Sequence, residues 1–328
     1  MKQVAVIGVG KWGTNLSRNF RELGALKYIC DRNESRLKEL EATFKEVKLV
    51  RDPDVILADP EVSGVVVATP PGNHYEVGVK VLGAGKHLFV EKPMTLDVEE
   101  ARKLKDMAAE KGLILMVGHI LLYNPAYVKL RELIEGGVLG GLCHIQTQRI
   151  GLGRVRREED ALFSLAPHDI SAMLYLFGET PLELSCFGMD FLQKGIMDIV
   201  YVNLRFPEDK IGQIQVSWYS PEKVRQHTVV GTLRMAQVDE LVGKGVLKLY
   251  NSSIDPATLA VQAGAEELVE LSGEEPLKEE CRHFLSTLES GKASRSDGCQ
   301  GLAVVRILDR AKESALRKGQ WMSLGDVC

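Results

Sequence analysis

Val4-Ala5-Val6-Ile7-Gly8-Val9-Gly10-Lys11-Trp12-Gly13 is the stretch on which the fold turns. Its first four residues are apolar and mostly β-branched, as in a strand buried on both faces. Glycines follow at once with GxGxxG spacing. Residues 14–24 then read as a helix, with Leu16, Phe20 and Leu23 on one face and Gly24 as a stop. A strand before and a helix after are what give this motif meaning. Gly8 permits the tight turn, Gly10 lets the backbone approach a pyrophosphate, and Gly13 lets helix and strand pack closely. The phosphates meet the positive end of the helix dipole. Lys11 and Trp12, between the glycines, are cofactor contacts by position.

The alternation continues through the first third. Residues 26–30 form a second strand, ending at Asp31. An acid about 20 residues past the glycines is placed to bind a ribose 2′-hydroxyl and to repel a 2′-phosphate, which puts NAD ahead of NADP. Arg32 works the other way, because a guanidinium can accept a phosphate or stack on adenine. Asp31 also suits an N-cap for a helix over residues 34–44. Residues 62–69 are another buried strand, followed by the Pro70-Pro71-Gly72-Asn73-His74 turn and a helix over 75–82. Thr69, Asn73 and His74 fall at a strand's carboxyl end, where open α/β sheets bind ligands. The next strand, His87-Leu88-Phe89-Val90, delivers Glu91-Lys92-Pro93 to the same edge. A lysine there faces a ligand more naturally than solvent, and Glu91 is a further cofactor contact. A capped helix from Asp97 to a Gly112 stop and a strand over 113–117 complete an open parallel sheet.

After Asn124-Pro125 the pattern changes. A helix over 126–135 precedes strands at 197–206, 211–218, 224–230 and 246–250 that alternate apolar and polar residues, the mark of an antiparallel sheet. Helices over 277–290 and 300–317 close the chain, and 251–276 is its loosest part. The expected organisation is an α/β Rossmann domain over residues 1–120 and an α+β domain with a mostly antiparallel sheet over 121–328.

Composition bounds the partners. The 328 residues carry a net charge of −4, which leaves no basic footprint for nucleic acid. No apolar run approaches the ~20 residues of a membrane span. The start is too quickly broken by glycine for a signal peptide. Six cysteines without a Cys-x-x-Cys pair argue against a metal site and a disulfide framework and fit the cytoplasm, with Cys328 an inert terminal thiol.

Two stretches point to substrate. Arg149-Ile150-Gly151-Leu152-Gly153-Arg154-Val155-Arg156-Arg157 reads either as a solvated loop or as a site for an anionic group such as a diphosphate. In Pro167-His168-Asp169, the proline suits a first helical turn. That places His168 at a helix N-terminus, where the dipole keeps an imidazole neutral and able to accept a proton. By itself the pair reads first as a helix cap. Asn124 is a further candidate substrate contact.

Taken together, the glycine motif with Arg18-Asn19-Phe20, Glu91-Lys92-Pro93, His168-Asp169, the Glu279-Glu280-Cys281-x-x-Phe284 helix and Ser296-Asp297-Gly298 resemble the glucose–fructose oxidoreductase/inositol dehydrogenase (Gfo/Idh/MocA) family. The resemblance covers essentially the whole chain. It implies a Rossmann domain followed by a large open antiparallel sheet used in homodimers or homotetramers. It also implies hydride transfer between NAD(P) and a hydroxyl carbon of a sugar or cyclitol, with Lys92 and His168 catalytic. Many relatives carry an aspartate four residues before that histidine. Here the position is Ser164, which can hydrogen-bond a sugar hydroxyl but cannot take up a proton at neutral pH. The resemblance is greatest to the branch oxidising C3 of UDP-N-acetylglucosamine-type sugars. Beside it stand a free-sugar or inositol dehydrogenase and a catalytically weak, dinucleotide-sensing regulator.

Overall fold

The computed structural model describes residues 2–243, 245–255 and 257–325. Cys328 lies outside them. The chain divides into two compact units. The first holds residues 2–120 and Leu277–Val305, the second Leu121–Pro276 and residues 306–325. A single cut after residue 120 therefore does not describe the division, since the helix over 277–290 and the first half of the last helix group with the first unit. Residues 277–305 complete the first core rather than the second.

In the first unit, strands β1 (Gln3–Ile7), β2 (Leu26–Cys30), β3 (Lys48–Val50), β4 (Val62–Val67), β5 (His87–Val90) and β6 (Leu115–Val117) form a parallel sheet in the order β3-β2-β1-β4-β5-β6. This is the doubly wound dinucleotide-binding order, reversing beside β1. Its helices are α1 (Lys11–Glu22), α2 (Glu34–Glu41), α3 (Asp54–Leu57), α4 (His74–Gly83) and α5 (Val98–Glu110). Val65, Val67, Leu88 and Val90 are fully buried, as strands covered on both faces require. Helix α8 (Pro276–Ser290) packs here through Phe284, whose ring centroid lies 5.5 Å from Phe89 and 6.3 Å from Phe20. At Gly64 in β4 a Cβ would come within 3.0 Å of that ring, so β4 keeps glycine where the helix crosses it. Helix α9 (Gly298–Leu316) contributes Leu302 and Val305 to the same core.

The second unit contains α6 (Pro125–Glu135) and α7 (Ala161–Phe177). Its strands are β7 (Leu142–Ile150), β8 (Glu183–Met189), β9 (Ile199–Arg205), β10 (Ile211–Ser217), β11 (Val224–Gly231), β12 (Met235–Asp239), β13 (Val246–Tyr250), a hairpin β14 (Ser253–Ile254) and β15 (Val261–Gln262), then β16 (Glu266–Val269) and β17 (Met322–Ser323). Nine of these form one sheet in the order β16-β13-β12-β11-β7-β10-β9-β8-β17. It is antiparallel except where β10 runs parallel to β7. Its inner face is apolar along β9 and β10, with Val200, Val202, Ile214 and Val216 fully buried.

No helix among the described residues is long and apolar enough to cross a membrane. Among the described residues Cys30, Cys143, Cys186 and Cys281 are free thiols.

Candidate active site

The glycine turn fits a dinucleotide closely. Gly8 has φ 90°, and a Cβ there would lie 2.8 Å from the Ala68 carbonyl carbon. A Cβ on Gly13 would fall 1.9 Å from the Gly8 carbonyl oxygen. Gly10 is the opposite case. A Cβ there would meet only Arg36 Nη1, at 3.4 Å, so the backbone at Gly10 lies open to a large group. Gly10 also N-caps α1 with no side-chain hydrogen bond, which leaves first-turn N–H groups for an anion. Gly13→Ala is expected to cost about 1–3 kcal/mol of stability by overpacking. It should also weaken dinucleotide binding, as thermal denaturation and calorimetric titration would show.

Asp31 follows β2, with one carboxylate oxygen accepting the Val9 N–H at 2.9 Å and the other the Asn33 N–H at 2.8 Å. The charge is thereby pinned beside the glycine turn. The N-cap of α2 is Asn33 and not Asp31: Asn33 Oδ1 accepts the Ser35 and Arg36 N–H groups. Arg32 and Lys11 are both exposed, and Arg36 rather than Arg32 approaches Gly10.

The Lys92 edge is tied to the glycine turn by one contact. Trp12, half-exposed, donates its indole N–H to Glu91 Oε1 at 2.6 Å. Glu91 is buried, and its second oxygen accepts the Lys92 backbone N–H at 3.2 Å. Burial pushes the Glu91 carboxyl up to about 7, against the opposing pull of the Lys92 charge and the Trp12 hydrogen bond. Lys92 itself is half-buried, and the Lys92–Pro93 peptide is cis. The Thr69 hydroxyl is buried without a hydrogen-bond partner, an orphaned group of the kind a bound ligand satisfies. Asn73 is exposed.

His74 corrects the sequence expectation. It is wholly buried, with Nδ1 2.9 Å from the Pro93 carbonyl oxygen and Nε2 2.9 Å from the Thr69 carbonyl oxygen. Both ring nitrogens are used on backbone, so His74 ties the β4–α4 turn to the segment after Lys92 instead of touching a cofactor. Burial lowers its pKa.

In the second unit, His168 is not at a helix N-terminus. Helix α7 begins one full turn and more before Pro167, capped by Asp160, which accepts the Phe163 N–H at 3.0 Å. Pro167 sits inside the helix and His168 follows it, so the dipole argument for a neutral imidazole does not apply. Ser164 precedes His168 by four residues, on the same helical face. Asp169 points away from both. Its Oδ2 accepts from Arg149 Nε at 2.8 Å, and its Oδ1 lies 3.5 Å from His227 Nε2.

Arg149 is likewise corrected. It lies within β7 and not in an exposed loop, is buried, and makes two further bonds to Glu240 at 2.7 and 3.0 Å. Burial opposes its charge, but the Asp169 and Glu240 carboxylates more than offset this and hold its pKa up. The same pairing draws Glu240 down to about 2 against burial. Tyr127 joins the network, donating to Glu240 at 2.7 Å and lying 2.6 Å from His227 Nδ1. Arg149 is therefore a core ion pair and leaves the substrate set. Arg154, Arg156 and Arg157 are exposed in the following loop, Arg156 pairing with Glu159. Asn124 N-caps α6, its Oδ1 accepting the Ala126 N–H at 2.9 Å, so its oxygen serves the fold.

Two sequence profiles match: the Gfo/Idh/MocA oxidoreductase family, NAD-binding Rossmann fold, over residues 2–119, and the Gfo/Idh/MocA C-terminal domain over residues 127–237. The chain belongs to the Gfo/Idh/MocA oxidoreductase family. UDP-N-acetylglucosamine 3-dehydrogenase of Acidithiobacillus ferrooxidans is 28% identical over 311 residues, 94% of this chain and 95% of that protein. Its solved structure superposes with a TM-score of 0.84 at 26% identity, covering 95% of this chain and 96% of the other. Two Bacillus subtilis enzymes are also similar. The NAD(+)-linked scyllo-inositol 2-dehydrogenase is 26% identical over 74% of this chain and 77% of its own length. The NADP(+)-linked one is 33% identical over 54% and 53%. Family membership makes the first unit an NAD(P)-binding domain and the protein an NAD(P)-dependent oxidoreductase.

The residues that the sequence does not single out are buried ones. Tyr127 of α6, His227 of β11 and Glu240 just past β12 join Arg149 and Asp169 from positions far apart in the chain. His119, after β6, is wholly buried; burial and then the Lys92 charge push its pKa down to about 3. Glu280 did carry a signal. It falls on the apolar stripe of α8 with Leu277, Cys281, Phe284 and Leu288, where a charge is out of place.

Proposed function

We propose that this family member is an NAD-dependent dehydrogenase of a secondary hydroxyl on a sugar or nucleotide sugar, with C3 of a UDP-N-acetylglucosamine-type sugar as its substrate position. The observation that carries the reading is the full-length similarity to a UDP-N-acetylglucosamine 3-dehydrogenase, to which Lys92 and the exposed arginine loop add. Bound nicotinamide supplies the hydride acceptor. Gly8, Gly10 and Gly13 give the pyrophosphate its close backbone approach, and Asp31 takes the ribose hydroxyls. Lys92 orients and polarises the substrate hydroxyl, and His168 takes its proton. Ser164 offers a hydrogen bond where relatives offer a carboxylate. Arg154 and Arg157, exposed in one loop, suit a diphosphate.

The test is NADH absorbance on mixing protein and NAD with a panel of UDP-sugars, free sugars and inositols. UDP-N-acetylglucosamine should give the highest kcat/KM. An inositol or a free sugar would take that place under the second reading, which the Bacillus subtilis relatives favour. Tight NAD binding without turnover of any of them would favour a dinucleotide sensor. Asp31→Ser is expected to raise kcat/KM for NADP relative to NAD, since the pinned carboxylate no longer repels a 2′-phosphate; an unchanged ratio would remove Asp31 from cofactor choice.

Self-association belongs to the same proposal. Phe187 and Met189 of β8, Tyr201 of β9 and Ile211 of β10 share one face of the second sheet and are each about half-exposed, a surface suited to a second copy.

A further inference from the structure

Glu280 is a wholly buried acid on an apolar helix stripe, and neither of its carboxyl oxygens has a hydrogen-bond partner. A buried group left in that condition calls for an explanation. Its surroundings supply one. Helix α8 meets the sheet where Phe284 packs on Phe89. Glu280 stands one helical turn before Phe284, a step of about 6 Å. Glu91 stands two residues beyond Phe89 on the same side of the chain, a step of about 6.6 Å. The two acids thus lie on the same packed seam, and the Glu91 charge acts on Glu280.

We propose that Glu280 is a positioning residue of the Lys92 edge: it stays protonated beside Glu91 at neutral pH, so that Glu91 is the member of the pair that ionises against Lys92. Two carboxyls in one buried site cannot both ionise cheaply. Glu91 has what an anion needs: the Trp12 indole N–H, the Lys92 backbone N–H and the Lys92 charge. Glu280 has none of these, and burial first, then the Glu91 charge, raise its pKa well above the usual carboxylate range. As pH rises through about 7, Glu91 loses its proton while Glu280 keeps its own. Below that pH both acids are neutral and Glu91 no longer sets a negative charge against Lys92.

The other groups around the pair do not compete for this proton. Trp12 from α1 does not titrate, nor do Phe20 of α1, Gly64 of β4 and Phe89 of β5. His119, from the end of β6, stays neutral across the range because burial holds its pKa near 3. Lys92 is the charged group at this edge that faces Glu91.

The proposal rests on Lys92 being the catalytic lysine, but its test needs no turnover. Full-length protein labelled with [5-13C]glutamate would be titrated by NMR as wild type and as Glu91→Gln, Glu280→Gln and Glu280→Leu. Wild type should show one buried carboxyl titrating near neutrality, absent in Glu91→Gln. A second, absent in Glu280→Gln, should stay protonated at neutral pH. With Glu91 neutralised, the Glu280 resonance should titrate about one pH unit lower, a tenfold change in proton affinity. Glu280→Gln, neutral like the protonated acid, should keep the Glu91 midpoint, whereas Glu280→Leu should raise it. A Glu280 resonance that is ionised at neutral pH, or that ignores Glu91→Gln, would overturn the pairing. If Glu280→Gln does not fold, the Glu91→Gln comparison alone decides. Coupled titration in a protein that oxidises no sugar would sink the dehydrogenase reading and keep the pair.

Discussion

Lys92→Ala should lower kcat by about 10²–10⁴-fold, the usual worth of a positioned proton-transfer or polarising group, while the NAD dissociation constant stays near that of wild type. The two effects separate because of where Lys92 sits. It leaves β5 beyond Val90, and the residues expected to hold the dinucleotide are others: the glycine turn, Asp31 and Thr69. Trp12 reaches Glu91, not Lys92, so the tie between the glycine turn and the β5 edge survives the substitution. His168→Ala should lose a comparable factor. Steady-state kinetics and calorimetric NAD titration of both variants check this. Retained turnover in both would remove the pair from catalysis.

Arg149→Met should destabilise the protein by about 3–5 kcal/mol, the cost of leaving buried carboxylates without their cation. Arg149 bonds to Asp169 at 2.8 Å and to both oxygens of Glu240, and all three side chains are largely withdrawn from water. Removing the guanidinium strands two anions, with His227 neutral at their side because burial lowers its pKa. Denaturant unfolding measures the loss. A substrate-binding arginine would behave differently, with KM rising and stability unchanged. Glu240→Gln in the Arg149→Met background should recover part of the stability, since one stranded charge is then gone.

These two residues mark what was legible in the chain and what was not. Lys92 was legible because strand, charge and proline are contiguous: a β-branched and aromatic run places it at the sheet edge whatever the rest of the chain does. Most of the parallel sheet is legible for the same reason, its central strands being largely apolar, but the short edge strand β3, which begins at exposed Lys48, is not. Strand β7 was not. Its inward positions include Thr147 and Arg149, so no apolar alternation announces it, and the partner that makes Arg149 a core residue is 91 positions away. An arginine in a Gly-Arg-rich stretch then looks like a surface charge. His168 reads as a helix start because proline usually marks a first turn, but Pro167 here lies within α7. The start signal was Asp160, the last of three consecutive acids, which hid it as a cap. The sequence places His74 at the right edge, but only the fold reveals that both its nitrogens face backbone carbonyls. The division of the chain is not contiguous, because residues 277–305 return to a core laid down at the start of the chain.

The most direct test of the central claim is the rate of NADH formation with UDP-N-acetylglucosamine, measured side by side for wild type and Lys92→Ala at saturating NAD. Steady NADH formation in the wild type, nearly abolished in the variant with NAD binding intact, is the expected result. Equal rates in the two proteins, or NAD binding with no NADH formed from that sugar or from any other sugar or cyclitol of the panel, would contradict it.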